Sequence, residues 1–405
     1  MADGYNLHSN RQASRRGRLP VSGLSPAEFE AAREEISSWP NYRPTPLVSL
    51  SGLARASEIA SLWYKDEGTR FGLGSFKALG GAYATGRLLQ SKIAENAGRV
   101  PSFAELRSGM FRDFTRNMKI VTATDGNHGR SVAWGARMFH CPCVVYVPRL
   151  CSRNRELAIA SYGAVVVRST SGYDETVNEC AHDANENGWL LVSDTSWDGY
   201  EQVPGWVMQG YTMMSSEVME QLGPDAPPTH VFVQGGCGGL AAAVCAHFES
   251  VWRARAPRFI VVEPLGAACL YASAVAGEPT ALHEESHTIM AGLDCGHVSA
   301  LAWKILFHGA DFFMMIPDST VPDCLRLLAF PPFGDAPIVS GESAIAGLAA
   351  LLYALRNSKV RSRLGLCSKS KVLLFGTEGD TDPDRYRELT GVSAADIRAR
   401  AAAFE

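Results

Sequence analysis

The feature that most constrains this chain is a regular alternation of short apolar segments with longer helix-like segments. Strands that alternate with helices at this spacing predict βαβ units and a parallel sheet. The valine runs at 144–145 and 165–167 are apolar throughout, which is typical of strands covered on both faces. In this first block the predicted strands are 120–124, 143–147, 164–168 and 189–193, and the predicted helices are a segment ending at Phe139, then 153–162 and 173–187.

A second alternating block follows the first and predicts another α/β domain. Before the first block, the basic region 10–18 predicts a disordered or loosely docked arm. Residues 265–299 are the least regular segment and are predicted to form a loop or lid. The other predicted helices are 26–38, 205–221, a segment starting at Leu240, 300–307, 321–328 and 343–355, and the other predicted strands are 62–67, 230–234, 259–262 and 371–375.

Composition excludes several classes of function. The 405 residues are 46% hydrophobic and 20% charged, with a formal net charge of -4, so neither nucleic acid nor an anionic membrane is an expected partner. No apolar run is long enough to span a bilayer. The 10 cysteines show no paired C-x-x-C spacing, so no metal site is predicted and a cytoplasmic location is expected. Cys269 and Cys295 bracket a polar stretch, but two free thiols are favoured over a disulfide.

A single lysine, Lys77, lies in the segment 70–81 (RFGLGSFKALGG), among small and aromatic residues and without any carboxylate. Residues 78–84 predict the start of an apolar, tightly packed helix. The positive end of a helix dipole and partial burial both favour the neutral amine. A neutral lysine amine is the nucleophile that forms a Schiff base. An ordinary surface lysine at a helix start is the alternative interpretation.

A glycine loop at 235–239 (GGCGG) follows a predicted strand and precedes a predicted helix. Such a loop exposes backbone N–H groups at a helix N-terminus and therefore predicts an anion site. The spacing Gly236-x-Gly238-x-x-Ala241, with Glu263 closing the next strand, also fits a dinucleotide-binding fingerprint. A tight strand-to-helix turn is a third interpretation, and the pattern alone does not decide among the three.

The loop 124–129 (TDGNHG) also lies between a predicted strand and a predicted helix. Asn127 offers a neutral amide that can hydrogen-bond a ring hydroxyl. Asp125 is a carboxylate at a helix N-terminus, where the dipole stabilises its charge. A plain N-cap is the alternative interpretation of Asp125, and His128 is interpreted as structural.

Three later segments carry further polar candidates. Asp194 lies in 193–200 (SDTSWDGY), at the carboxyl end of a predicted strand, where ligands bind in open α/β sheets. The loop 375–382 (FGTEGDTD) holds three acids, but it matches no hard-cation loop pattern. The segment 340–343 (SGES) opens a predicted helix and could be merely the cap of that helix.

Taken together, these segments resemble the fold-type II pyridoxal-phosphate enzymes, the superfamily of tryptophan synthase β and threonine dehydratase, and most closely the diaminopropionate ammonia-lyases. The resemblance covers residues 42–386 and rests on the number and order of the motifs. The motifs are 42–47 (YRPTPL), 70–73 (RFGL), 76–77 (FK), 124–130 (TDGNHGR), 209–211 (QGY), 290–293 (MAGL), 340–343 (SGES) and 377–382 (TEGDTD).

The resemblance implies an α/β fold of fold type II, with two open twisted parallel-sheet domains and pyridoxal 5'-phosphate between them. It implies an N-terminal arm and first helix over 1–40, a large cofactor-binding domain over 41–84 and 211–405, and a small α/β domain over 85–210. It also implies a homodimer.

The same resemblance implies that Lys77 carries the cofactor as a Schiff base, that Asn127 hydrogen-bonds its phenolic oxygen and that the Thr377 hydroxyl faces its pyridine nitrogen. A hydroxyl partner leaves that nitrogen unprotonated, which makes the ring a weaker electron sink and suits elimination better than transamination. The resemblance implies that the glycine loop binds the cofactor phosphate, which makes the dinucleotide interpretation the weaker one. The other implied cofactor contacts are Phe76, Gly235, Gly236, Cys237, Gly238, Gly239 and Glu342.

The implied reaction is α,β-elimination of 2,3-diaminopropionate, D and L, to pyruvate and two ammonia. Lys77 or Asp125 would remove the α-proton, depending on the enantiomer, and Asp125 or Asp194 would hold the leaving ammonium group. Ser75, Asp125 and Asp194 are the implied substrate contacts. The similar serine and threonine dehydratases typically carry a serine at the position of Asp125, and a carboxylate prefers a cationic amine to a hydroxyl.

Two alternatives stay open at this point. One is the same chemistry on another β-substituted amino acid, such as serine, threonine or hydroxyaspartate. The other, from a different class, is a dinucleotide-binding protein that uses Gly236 to Glu263.

Overall fold

The structure is a computed structural model that describes residues 4–13, 23–124, 126–223, 225–282 and 287–404. The chain forms two compact units. Unit 1 comprises Met1–Val21, Pro44–Ser75 and Met214–Glu405, and unit 2 comprises Ser22–Arg43 and Phe76–Met213. The compact units therefore change at 75/76 and 213/214, whereas the predicted domains change at 84/85 and 210/211; the domain bounds stay a prediction.

The secondary structure follows the predicted alternation over most of the chain. The strands in the described residues are β1 (Asn6–Ser9), β2 (Leu47–Ser49), β3 (Ser61–Asp66), β4 (Ile120–Ala123), β5 (Cys143–Val147), β6 (Val165–Arg168), β7 (Leu190–Leu191), β8 (His230–Gln234), β9 (Arg258–Pro264), β10 (Phe312–Ile316) and β11 (Lys371–Gly376). The helices in the described residues are α1 (Pro26–Ser37), α2 (Ser51–Ala56), α3 (Lys77–Ala97), α4 (Phe103–Ser108), α5 (Arg112–Thr115), α6 (Asn127–Met138), α7 (Arg153–Ala160), α8 (Tyr173–Asn187), α9 (Gln202–Leu222), α10 (Gly239–Trp252), α11 (Cys269–Ala276), α12 (Ala300–Gly309), α13 (Val321–Ala329), α14 (Ala346–Arg356), α15 (Ser358–Leu364), α16 (Pro383–Thr390) and α17 (Ala394–Ala402).

Unit 1 contains a seven-stranded sheet in the order β1-β10-β9-β8-β11-β3-β2. The five strands from β10 to β3 are parallel, and β1 and β2 pair antiparallel at the two edges. β8 is buried along its whole length, which explains its apolar sequence. Because parallel strands end at the same sheet edge, the loops after β8, β11 and β3 lie together in unit 1.

Unit 2 contains a four-stranded parallel sheet in the order β6-β5-β4-β7. The central strands β4 and β5 are buried on both faces, as predicted from their apolar runs. For β6 that prediction is wrong, because Val165 is 62% exposed. The cause is its edge position: α6 and α8 pack on the central strands β4 and β5, whereas the shorter α7 packs on β6.

The N-terminal segment contains a strand before the predicted arm 10–18, because β1 pairs with β10. Asn10, the first residue of the predicted arm, is docked: its side-chain amide donates hydrogen bonds to the carbonyls of Phe307 at 2.9 Å and Ala310 at 2.8 Å. Residues 14–18 of the predicted arm lie outside the described residues.

The segment predicted as a loop or lid, 265–299, contains the helix α11 instead of being irregular throughout. Residues 283–286 of this segment lie outside the described residues. Cys269 and Cys295 are free thiols, in agreement with the prediction.

The helix α3 is packed closely by its glycines, and this packing places Lys77. A Cβ at Gly80 would lie 2.4 Å from Cε1 of Tyr211 on α9. A Cβ at Gly81 would lie 2.6 Å from Oγ of Ser131 on α6. A larger residue at either position would therefore push the first turn of α3 away from its neighbours.

Among the described helices, none is both long and apolar enough to cross a membrane.

Candidate active site

Lys77 is the first residue of α3, and its ammonium group is ion-paired with the carboxylate of Asp194. The Lys77 side chain is 18% exposed and the Asp194 side chain is 8% exposed. The rings of Phe76 and Tyr211 lie 5.3 Å and 5.7 Å from Nζ of Lys77. The lysine is therefore held between two aromatic rings and a carboxylate, unlike an ordinary surface lysine.

The neutral Lys77 amine stays a prediction. In the free protein the buried Asp194 carboxylate accepts a hydrogen bond from Nζ, a contact that favours the ammonium form. Forming a Schiff base requires that this ammonium first lose a proton.

His128 is the second group that faces Asp194, with Nδ1 at 3.8 Å from Oδ2 of the carboxylate. Its Nε2 lies 2.9 Å from the carbonyl oxygen of Val192, and because a carbonyl only accepts, Nε2 carries the proton. Burial lowers the pKa of His128 despite the attraction of Asp194, so the ring is neutral at pH 7.

Asp194 keeps its charge although it is buried. Burial acts to raise the pKa of this carboxyl, but His128 and Lys77 outweigh that effect and hold the pKa well below its usual range. The site therefore contains a buried carboxylate preorganised to hold an ammonium group.

The loop between β4 and α6 lies in the same unit. Thr124 Oγ1 accepts hydrogen bonds from the backbone N–H of Gly126 at 2.9 Å and of Gly129 at 3.0 Å, which shapes the turn. Asn127 is the first residue of α6 and is half-buried. Asp125 lies outside the described residues, so its two interpretations stay open here.

The glycine loop of unit 1 joins β8 to α10, as predicted. Gly238 has φ of 102°, a conformation that favours glycine, and precedes the first turn of a 14-residue helix. A Cβ at Gly235 would lie 2.6 Å from Cδ1 of Leu270, so the loop backbone is packed too closely for a side chain. A bare backbone at the N-terminus of a long helix is the geometry of an anion site.

Glu263 has a structural role that removes the dinucleotide alternative. Its carboxylate accepts hydrogen bonds from the backbone N–H of Leu270 at 2.7 Å and of Tyr271 at 2.6 Å, at the start of α11. Glu263 is fully buried, and burial raises the pKa of its carboxyl well above the usual value. The acid that the fingerprint requires for a ribose is therefore a helix cap.

Thr377 follows β11 and is buried. Its Oγ1 accepts a hydrogen bond from Nε2 of Gln234 at 2.8 Å, and Gln234 is the last residue of β8. Among the described residues, none accepts a hydrogen bond from the Thr377 hydroxyl. Its proton is therefore available to an acceptor such as a ring nitrogen.

The segment 340–343 packs against the loop that follows Thr377. Glu378 accepts hydrogen bonds from the backbone N–H of Ser343 and, through its carbonyl, of Gly341. The helix α14 begins only at Ala346 with Ile345 as its N-cap, so the interpretation of the segment 340–343 as the helix cap is wrong. Glu342 is buried beside this loop.

The other acids of the loop 377–382 have structural partners. Asp380 pairs with Arg398, and Asp382 caps α16 through the N–H of Arg385. Ser75, the residue two before Lys77, forms an isolated β-bridge with Glu378 and is buried. The loop after β11 therefore holds the segment that leads to Lys77.

A buried ionic cluster in unit 1 was not foreseen from the sequence. Glu217 accepts hydrogen bonds from Lys65 Nζ at 2.6 Å and from Arg70 Nη1 at 2.7 Å, and Glu67 accepts from Arg70 Nε at 2.8 Å. All four side chains are at most 1% exposed. The available signal was the run of charges at Lys65, Asp66 and Glu67 within an apolar strand. The cluster fixes Arg70, which begins the turn Arg70–Gly72 before Lys77.

The residues of both units fit pyridoxal phosphate in their chemistry. Unit 2 presents a partly accessible lysine amine, which the aldehyde needs. Unit 1 presents a glycine-rich anion loop for the phosphate and a hydroxyl, that of Thr377, whose proton has no acceptor among the described residues.

Comparison with known proteins agrees with this donor set. The model of the family described as "Pyridoxal-phosphate dependent enzyme" matches residues 39–368. The chain is 40% identical over 359 residues to the diaminopropionate ammonia-lyase of Salmonella typhimurium, which covers 86% of this chain and 88% of that protein.

Solved structures are similar over nearly the whole chain. The crystal structure of holo diaminopropionate ammonia lyase from Escherichia coli superposes with a TM-score of 0.86 at 36% identity, over 95% of this chain and 96% of that one. The same enzyme in complex with an aminoacrylate-PLP azomethine reaction intermediate superposes with a TM-score of 0.83 at 34% identity, with the same coverage.

Proposed function

Because the chain belongs to the pyridoxal-phosphate dependent enzymes, and within them to the diaminopropionate ammonia-lyases, we propose that it converts 2,3-diaminopropionate, D and L, and one water into pyruvate and two ammonia. The reaction is an α,β-elimination that breaks a carbon–nitrogen bond, so the enzyme is a carbon–nitrogen lyase with pyridoxal 5'-phosphate as its cofactor.

One observation carries the proposal beyond family membership. Asp194 is a buried carboxylate that already holds a primary ammonium group, that of Lys77. When the Lys77 amine is engaged by the cofactor, this carboxylate loses its contact with the Lys77 ammonium. The β-ammonium of diaminopropionate is the same kind of group and replaces it, whereas the β-hydroxyl of serine is a weaker partner for a carboxylate.

Different residues of the chain bind different parts of the cofactor. Bound at Lys77, pyridoxal phosphate supplies an electron sink that stabilises negative charge at the substrate Cα. The amine of Lys77 binds its aldehyde, and Phe76 and Glu342 contact it. The loop Gly235, Gly236, Cys237, Gly238 and Gly239 binds its phosphate, Asn127 donates to its phenolic oxygen and Thr377 donates to its ring nitrogen.

Proton movements follow from the same residues. The freed Lys77 amine or the Asp125 carboxylate takes the α-proton, according to the face that the enantiomer presents. The β-nitrogen leaves with the electrons of the C–N bond. When this nitrogen is an ammonium before the bond breaks, it departs as neutral ammonia. Asp194 favours this charged form, and Ser75 completes the substrate contacts. The aminoacrylate that remains hydrolyses to pyruvate and the second ammonia.

Pyruvate release is the direct test. Purified chain loaded with pyridoxal phosphate is incubated with D- and L-diaminopropionate, serine, threonine and hydroxyaspartate, and pyruvate or the corresponding keto acid is measured. Turnover of both diaminopropionate enantiomers with little from the hydroxy acids is expected. Turnover of the hydroxy acids alone would instead select the dehydratase alternative.

Asp194→Asn is expected to lower kcat/KM for diaminopropionate about 10²-fold, because a charged hydrogen bond to the leaving ammonium is lost. Steady-state pyruvate assays measure the loss. The matched control is Asp198→Asn, an exposed acid in the same loop, which should act like the unchanged enzyme. A kcat/KM for Asp194→Asn within about twofold of the parent value would show that Asp194 does not contribute to the site.

Asp125→Asn is expected to impair one enantiomer of diaminopropionate by about 10²-fold more than the other, because only one face of the substrate relies on this base. The ratio of kcat/KM for the two enantiomers is the measurement, and each enantiomer serves as the control for the other. Equal loss on both enantiomers would reject the two-base proposal.

We also propose that the chain acts as a homodimer in the cytoplasm. Its ten free cysteines, seven of them buried, support a reducing compartment. The oligomeric state is tested by sedimentation at several protein concentrations, where a single species of twice the 43.7 kDa chain mass is expected.

A further inference from the structure

Gln234 and Thr377 lie at the carboxyl ends of two neighbouring strands, β8 and β11, and their side chains are both buried. Gln234 is 1% exposed and Thr377 is 3% exposed. Nε2 of Gln234 lies 2.8 Å from the carbonyl oxygen of Phe375 and 2.8 Å from Oγ1 of Thr377. No role for Gln234 followed from the sequence, although it directly precedes the glycine loop.

The carbonyl of Phe375 determines which way the Gln234 amide points. A carbonyl oxygen only accepts, so the amide atom that faces it is the nitrogen. The flipped amide would place two oxygens 2.8 Å apart in a buried site, which is repulsive. The amide nitrogen therefore donates to the Phe375 carbonyl and to Oγ1 of Thr377, its two acceptors at 2.8 Å, and the carbonyl oxygen of Ala344 faces the same nitrogen at 3.4 Å.

This orientation sets the direction of the Thr377 hydroxyl. Its oxygen already accepts a proton from Gln234, so its own proton points away from Gln234. The amide oxygen of Gln234 has no hydrogen-bond partner among the described residues. A buried acceptor without a partner is costly, so the orientation is maintained against that cost by the two donor contacts.

We propose that Gln234 is a positioning residue that occupies one lone pair of the Thr377 hydroxyl and directs its proton toward the ring nitrogen of the cofactor, and thereby favours the unprotonated ring. The proposal rests on the proposed function, which places Thr377 at that nitrogen. An unprotonated ring withdraws fewer electrons from Cα, so Gln234 favours elimination, in which a leaving group takes the electrons, over transamination.

The test changes the hydrogen-bond direction at position 234. In Gln234→Glu the carboxylate accepts the Thr377 proton, which reverses the hydroxyl and presents its lone pairs to the ring nitrogen. In Gln234→Met the donor is removed without a new acceptor. The readout is the nitrogen NMR signal of pyridoxal phosphate labelled at its ring nitrogen, bound to each protein in the absence of substrate.

An unprotonated ring nitrogen is expected in the parent enzyme, with a shift toward the protonated form in Gln234→Glu and a smaller one in Gln234→Met. With diaminopropionate, elimination should fall about 10-fold in Gln234→Glu while conversion of the cofactor to its amine form rises. Unchanged nitrogen signals in both variants would overturn the proposal.

A double-mutant cycle separates positioning from general structural support. If Gln234 acts through the hydroxyl, Gln234→Met should have no further effect on the nitrogen signal in a Thr377→Val background. Equal effects in both backgrounds would overturn the proposal. Because the NMR readout needs no substrate, an enzyme that binds the cofactor but releases no pyruvate would contradict the proposed function alone.

Discussion

Replacing Lys77 by alanine is expected to lower pyruvate release from diaminopropionate by at least about 10³-fold. Lys77 is both the proposed cofactor amine and one of the two proposed bases, and loss of a positioned base alone costs roughly 10²–10⁴-fold. The absorption band of lysine-bound pyridoxal phosphate should disappear in the same protein. Rate and spectrum together show whether Lys77 carries the cofactor.

The matched control is Lys92→Ala on the same helix. Lys92 is a partly exposed lysine that pairs only with the nearby Glu95 among the described contacts, so its loss should leave the rate and spectrum unchanged. If Lys77→Ala retained the lysine-bound spectrum, another lysine would carry the cofactor and the assignment of the site would be wrong.

Glu217→Gln is expected to destabilise the folded chain by about 3–5 kcal/mol, because it removes the buried negative charge that Lys65 and Arg70 share. The Glu217 carboxylate accepts hydrogen bonds from Lys65 and from two nitrogens of Arg70, and also from the backbone N–H of Thr45 at 3.0 Å. Urea unfolding of the parent and variant measures the difference, and the variant midpoint should be clearly lower.

The exposed Glu220 on the same helix is the control. Glu220→Gln should change the unfolding free energy by less than about 0.5 kcal/mol. If Glu217→Gln were as stable as this control, the cluster would contribute little to stability. Loading with pyridoxal phosphate should also weaken in Glu217→Gln, because the cluster holds the turn at Arg70 that leads to Lys77.

The Glu217 contribution should also depend on pH. Burial acts to raise the pKa of this carboxyl, but Arg70 and Lys65 outweigh burial and lower the pKa overall. A lowered folded-state pKa means that the stabilisation is present above the unfolded value and is lost as pH falls. The stability difference between parent and Glu217→Gln should therefore shrink in acid.

Much of the element order follows from sequence pattern. The strands Cys143–Val147 and His230–Gln234 and the helix Tyr173–Asn187 agree with the predicted bounds, because apolar runs and αL glycine stops are local signals. Phe312–Ile316 was not predicted, because a short apolar run between helices carries no distinguishing period. The edge position of Val165 depends on which strands pair, and the local sequence does not contain that information.

The candidate site was likewise predicted only in part from the sequence. Lys77, the glycine loop and Asp194 were identified from their residue types, their neighbours and the family resemblance. The contact between Lys77 and Asp194 was not predicted, because the two residues are 117 positions apart. The roles of Glu263 as a helix cap and of Gln234 as the partner of Thr377 also required the folded chain.

The sequence by itself determined the alternating α/β order, the family motifs and the presence of a lysine in a glycine-rich turn, since each of these is encoded within a few neighbouring residues. Tertiary structure alone decided which carboxylate holds the Lys77 ammonium and which way the Thr377 hydroxyl points. The physical reason is that hydrogen bonds and ion pairs between buried groups depend on distances that only packing of remote segments sets, and their strength depends on the burial that the same packing creates.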